Sequence, residues 1–205
     1  FDDAVAPFGE WGVDETLDSL VKAGKPGAII VGIANGEKRM NEYNPYFFER
    51  AGAGEGDAYV QFIINELKPF IDKKFRTKKD NENTVIAGSS MGGLISYYAA
   101  IKYPQVFGRA GMFSPAFWTA PEIVNLTDSL APKLNGMYFF YMGEKEGSEM
   151  VGKMNAITQS LGKSSSALLF SVIDPQGGHN EHAWRKWFVE FYIWITGNGL
   201  NQVIR

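Results

Sequence analysis

The stretch Val85-Ile86-Ala87-Gly88-Ser89-Ser90-Met91-Gly92-Gly93-Leu94 decides how this chain is read, because it sets Gly88-x-Ser90-x-Gly92 between an apolar run and a helix-like run. That is the sequence form of a nucleophile elbow, a strained strand-to-helix corner that lifts a serine hydroxyl clear of the backbone. Glycines two residues either side of Ser90 remove Cβ atoms expected to collide in so tight a turn. Residues 85–87 read as a short buried strand, and residues 94–102 as a helix that Pro104 stops. A glycine-rich turn that merely caps a helix has the same pattern, so the reading depends on partners elsewhere in the chain.

Working outward, continuous apolar runs alternate with helical spacing. Residues 11–23 carry Val13, Leu17, Leu20 and Val21 at helical intervals, and Gly24 ends them. Residues 28–33 read as a fully buried strand, followed by a long loop over 34–56 rich in Asn, Gly and aromatics. Asp57 is placed to cap the next helix, whose face runs through Val60, Ile63, Ile64, Leu67, Phe70 and Ile71 and which Pro69 must kink or restart. After the elbow come strands over 110–113, 137–142 and 167–173, with helices over 121–130, 148–161 and 181–195. This alternation predicts an α/β fold with a mostly parallel sheet covered by helices on both faces. Ligands in such folds bind beyond the carboxyl ends of the strands.

No linker or charge block divides the 205 residues, so the whole span 1–205 reads as one domain. A net charge of −3 with interspersed signs offers no broad basic face for nucleic acid. No apolar run reaches membrane-spanning length. Cysteine is absent, which excludes disulfides, a thiol nucleophile and a thiolate metal site, and leaves the redox compartment open. The sequence has neither a metal-ligand cluster nor a phosphate loop, and serine-based acyl chemistry needs no cofactor.

A serine hydroxyl needs a base to take its proton. Of the two histidines, His179 follows Gly177-Gly178 on the loop after the last predicted strand, while His182 falls in the first turn of the final helix. His179 is the expected base. Three acids stand at strand ends between Ser90 and His179: Glu146 is preferred, then Glu144, both just past the strand ending at Met142, and then Asp174. The Met91 N–H, opening the helix after Ser90, is the expected first donor to an oxyanion. The second donor is not identifiable.

These residues give the chain a resemblance to the Putative esterase family of α/β-hydrolases, which includes esterase D, enterochelin esterases, and the feruloyl and acetylxylan esterases of carbohydrate esterase family one. It rests on residues 87–93, on Tyr103-Pro104-Gln105-Val106-Phe107-Gly108 with Phe113-Ser114-Pro115-Ala116-Phe117-Trp118, on Gly143-Glu144-Lys145-Glu146, and on Gly177-Gly178-His179-Asn180 with Trp184-Arg185. The resemblance implies Ser90 as nucleophile, His179 as base and Glu146 at the acid position, where feruloyl esterase relatives usually carry Asp. It also implies that Phe1-Asp2-Asp3 follows early strands that the chain lacks, so that an N-terminal segment or self-association would cover the sheet edge. Val31-Gly32-Ile33 with residues 39–43 resembles a family segment near the site, which makes Arg39 and Glu42 substrate-side candidates, or else an ion pair of their own.

The expected activity is therefore carboxylic ester hydrolysis through an acyl-enzyme. Phe117 and Trp118, with Tyr43, Tyr46, Phe47 and Phe48, are candidates to line a pocket for aryl, acetyl or carbohydrate-linked esters. The same site supports transfer to an alcohol other than water. A carbohydrate-binding domain that keeps the hydrolase fold without its chemistry is the non-enzymatic alternative.

Overall fold

Four strands pair in parallel and in chain order in the computed structural model, which describes residues 9–197: β1 (Val85–Ser89), β2 (Arg109–Phe113), β3 (Met137–Gly143) and β4 (Leu168–Asp174). The sequence MYFFYMG of β3 is buried at every position, as befits a strand covered on both faces. Its side chains alternate between two cores. Tyr138, Phe140 and Met142 enter one, and Met137, Phe139 and Tyr141 enter the other.

The connections explain which helices share a face. α5 (Met91–Lys102), α6 (Ile123–Leu130) and α7 (Ser148–Ser164) each link one strand to its parallel neighbour. Right-handed crossovers set such helices on one side of the sheet, and all three contribute to the first core. α1 (Val13–Lys22) and α8 (Glu181–Thr196) cover the opposite face, where Phe188, Phe191 and Tyr192 pack with Trp11, Val13 and Leu17. Between them in the chain stand the short α2 (Arg39–Glu42), then α3 (Gly56–Phe62) and α4 (Lys68–Lys74), joined by a π-helical turn over Ile63–Leu67. That widened turn falls just ahead of Pro69, whose missing N–H interrupts the ladder without ending the helix. Asp57 caps nothing: it lies inside the first turn of α3 and accepts hydrogen bonds from the hydroxyls of Tyr98 (2.8 Å) and Tyr103 (2.5 Å).

One expected strand is absent. Residues 28–33 form no ladder, and Ile29, Ile30 and Val31 are 48, 47 and 39% exposed. An apolar run states a demand for burial, but a strand also needs a neighbour for its N–H and C=O groups. No described strand pairs with this run, and among the described residues β1 pairs on one side only, with β2. Phe1, Asp2 and Asp3 lie outside the described residues.

Candidate functional site at the carboxyl ends of the strands

Ser90 follows the last residue of β1 and adopts φ 57°, ψ −122°. For a residue with a Cβ this positive φ costs about 1–3 kcal/mol, so the surroundings must hold it. They do so sideways. The Ser90 N–H donates to the Phe113 carbonyl (2.9 Å), and the Ser90 carbonyl accepts from Ala116 (3.0 Å) as well as from Leu94 of α5 (3.1 Å). A Cβ on Gly88 would lie 2.7 Å from the Gly92 backbone, and one on Gly93 would lie 3.1 Å from Pro115 Cα. A Cβ on Gly92 would meet no described atom within 4 Å, so the second close approach belongs to Gly93, not Gly92. Met91 opens α5, which leaves its N–H among the donors that a first helical turn cannot pair.

The same stitching runs across the sheet edge. Ser114, just past β2, donates its N–H to the Tyr141 carbonyl (2.8 Å), and Lys145, just past β3, donates its N–H to Gly177 (3.2 Å). Among the described residues Ser114 is the other non-glycine residue with positive φ, at 48°. Glu146 closes a single 3-10 turn, Glu144–Glu146, directly after β3. Gly177 and Gly178 lie flush against the end of that strand, where a Cβ on Gly143 would sit 2.5 Å from the Gly177 carbonyl carbon. This close approach delivers His179 to Glu146. The next residue, Asn180, then caps α8 by accepting from the Ala183 N–H (3.0 Å).

His179 Nδ1 stands 2.7 Å from Glu146 Oε2. An ionised carboxylate only accepts, so Nδ1 carries the hydrogen and Nε2 is left as a proton acceptor. The carboxylate is 4% exposed and the imidazole 46%. Burial alone would raise the Glu146 carboxyl, but hydrogen bonds from His179, Ser114 and Gly143 together outweigh it and hold it below its ordinary range. Ser114 Oγ donates to Oε1 at 2.6 Å, and the Gly143 N–H donates to the same oxygen at 2.9 Å. Trp184 donates its indole N–H to Ser114 Oγ (2.9 Å) and packs edge-on against the His179 ring, with centroids 5.1 Å apart.

The other two acids are placed elsewhere. Glu144 is exposed at the start of the 3-10 turn. Asp174 is committed to α8: it accepts from Lys186 Nζ (2.8 Å), Trp187 Nε1 (2.8 Å) and the Gln176 N–H (3.0 Å). The Lys186 and Trp187 bonds lower its carboxyl to about 2. His182 is exposed on the second residue of α8.

A cavity of about 240 Å³ opens beside the pair, lined by Ser114, Pro115, Ala116, Trp118, Met142 and Met150 together with Glu146 and His179. Trp118 stands at its rim, 40% exposed and edge-to-face with Phe48 at 5.5 Å. Phe117 is a core residue, 3% exposed and packed on Tyr97 at 5.3 Å, because consecutive residues of the 3-10 turn Phe117–Thr119 cannot face the same way. Arg39, Glu42 and Tyr43 do not reach this cavity. Arg39 lies over the Tyr43 ring (5.5 Å), Tyr43 is buried against Tyr59, and Glu42 lines a separate cavity of about 330 Å³ with Ile33, Ala34, Gly36 and Glu55. Among the described residues Arg39 and Glu42 form no ion pair. Ser114, Trp184, Met142 and Met150 are the site residues that sequence reasoning left without a role. A serine between a buried strand and a proline was the available signal for Ser114.

No described helix is long and apolar enough to cross a membrane, and no described group of side chains has the makings of a metal site.

Comparison with known proteins gives three kinds of likeness. The sequence profile described as Putative esterase matches residues 2–195. The uncharacterized protein YbbA of Bacillus subtilis (strain 168) is 30% identical over 203 residues, covering 89% of this chain and 79% of that protein. An endo-1,4-beta-xylanase/feruloyl esterase of Xylanibacter ruminicola is 28% identical over 187 residues, covering 86% of this chain but 24% of that protein. In three dimensions the chain resembles an IroE-like serine hydrolase from Shewanella oneidensis, with a TM-score of 0.72 at 20% identity over 89% of this chain and 66% of that one. The last likeness establishes the α/β fold, a parallel sheet flanked by helices.

Proposed function

This chain belongs to the Putative esterase family, and from that premise we propose that it hydrolyses carboxylic esters through an acyl-enzyme formed on Ser90. The observation that carries the reading is the 2.7 Å contact between His179 Nδ1 and the buried Glu146 carboxylate, on the strand-end surface where Ser90 also stands. Ser90 Oγ attacks the ester carbonyl while His179 Nε2 takes its proton. The oxyanion so formed draws on the Met91 N–H at the head of α5. His179 returns the proton to the leaving alcohol, and water repeats the sequence on the acyl-enzyme. Glu146 holds the imidazole tautomer and stabilises the imidazolium in both halves. Among the described residues Ser90 Oγ has no hydrogen-bond partner, and catalytic hydrogen bonds are often long until substrate binds.

The cavity supports a substrate class. Trp118, Met142, Met150, Pro115 and Ala116 make an apolar wall that suits one planar or short acyl group, and the feruloyl esterase relative acts on an ester of that kind. Aryl, acetyl and carbohydrate-linked esters are therefore the substrates to try.

A serine-directed phosphonate should label Ser90, read by peptide mass. Ser90→Ala and His179→Ala should each lower kcat by about 10⁴–10⁶, with the double variant no worse, since residues acting as one unit are not additive. His182→Ala should keep most activity. Label on Ser89 or Ser114, or full turnover by Ser90→Ala, would refute the assignment.

A further inference from the structure

We propose that Ser114 is a positioning residue that commits one oxygen of Glu146 to the protein so that the other serves His179, with Trp184 fixing the direction of the Ser114 hydroxyl. This rests on the assignment of Ser90, His179 and Glu146 made above.

The direction of each bond follows from what the groups can do. An indole N–H only donates, so Ser114 Oγ must accept from Trp184 (2.9 Å). The single hydroxyl hydrogen is then left for Glu146 Oε1, 2.6 Å away. With the Gly143 N–H at 2.9 Å, Oε1 holds two donors and its neighbour Oε2 is the oxygen that faces the imidazole. Trp184 also touches the ring of His179, so the four side chains close a circuit: Trp184 to Ser114, Ser114 to Glu146, Glu146 to His179, and His179 back to Trp184. Rotation of the carboxylate would break three bonds at once.

The backbone points the same way. Ser114 is 2% exposed, holds φ 48° and precedes Pro115, a position where glycine would relieve the strain and where the residue before a proline is itself restricted. Glycine offers no hydroxyl. Retention of a side chain in that conformation is explained by the bond the side chain makes.

The test is a double-variant cycle on kcat with an aryl ester. Glu146→Gln is expected to lose turnover heavily. Ser114→Ala should lower kcat by about 10- to 100-fold, the worth of a hydrogen bond to a charged group, with KM changed less than about threefold. In the Glu146→Gln background the same Ser114→Ala change should cost less than about twofold, because no carboxylate is left to orient. Ser114→Gly, which suits φ 48° and so offsets part of the loss of the two hydrogen bonds, should melt nearer the parent than Ser114→Ala yet show the same loss of kcat, and it stands in should Ser114→Ala fold poorly. Trp184→Phe keeps the ring against His179 and should lose less than Ser114→Ala. Equal losses from Ser114→Ala in both backgrounds would make its role merely structural, and full kcat in Ser114→Gly would overturn the inference. If Glu146→Gln or Ser90→Ala itself keeps full turnover, the esterase assignment fails instead.

Discussion

Glu146 and Asp174 end neighbouring strands, yet their partners assign them opposite tasks. Asp174 is drawn to Lys186 and Trp187 on α8, so its work is to tie the last helix to the sheet. Its carboxyl is lowered from 3.8 to about 2. A depressed carboxylate contributes stability that is fully present above the unfolded value and fades as pH falls through the folded one. The window is therefore between about pH 4 and pH 2, and the contribution is on the order of 2 kcal/mol. Asp174→Asn should lower the midpoint of urea unfolding at pH 7 and converge with the parent protein as pH approaches 2; a constant difference across that range would show that packing, not charge, was lost. His179 as the candidate base is the easier choice on sequence, because there are only two histidines and a pair of glycines precedes one of them. Glu146 is already preferred to Glu144 on sequence, but the sequence cannot show that two residues of one 3-10 turn point in different directions and that Glu146 is the one facing His179. Ser114 was illegible because its role depends on a conformation that serine rarely adopts.

The strand-turn-helix unit of β1 and α5 is specified by where backbones touch. Gly88→Ala forces a Cβ to within 2.7 Å of the Gly92 carbonyl, both of them backbone that cannot step aside. Overpacking of that kind costs about 1–3 kcal/mol. Gly92→Ala meets no described atom and places a better helix former in the first turn of α5, so it should unfold within about 1 kcal/mol of the parent or later. Urea midpoints for the two variants check this, and equal destabilisation would mean that Gly92 is needed for its conformation. At this scale the sequence was most readable where a run had both burial and a neighbour, as in β3. It misled at residues 28–33, where the apolar run is present and no ladder exists.

For the molecule as a whole, the two cores leave one side less well protected. Among the described residues β1 is paired on one side, Val85 on that strand is exposed, and Ile29, Ile30 and Val31 are exposed as well. Open edges with apolar side chains recruit further strands. The 205-residue chain is therefore expected to self-associate with rising concentration, and Val85→Lys to weaken that association, as measured by sedimentation velocity. A monomer at every concentration would refute the expectation. The sideways bonds from Ser90 to Phe113, Ser114 to Tyr141 and Lys145 to Gly177 have a different reach. Each joins the exit of one strand to the next strand or its exit across an intervening helix, so each closes a long loop in the chain. No fragment holds the site, and no early contact can template it, because loop closure must precede every one of those bonds. On the proposed esterase reading, turnover is thus expected to be a late property of the folding chain: during refolding, helix content should return first and turnover last.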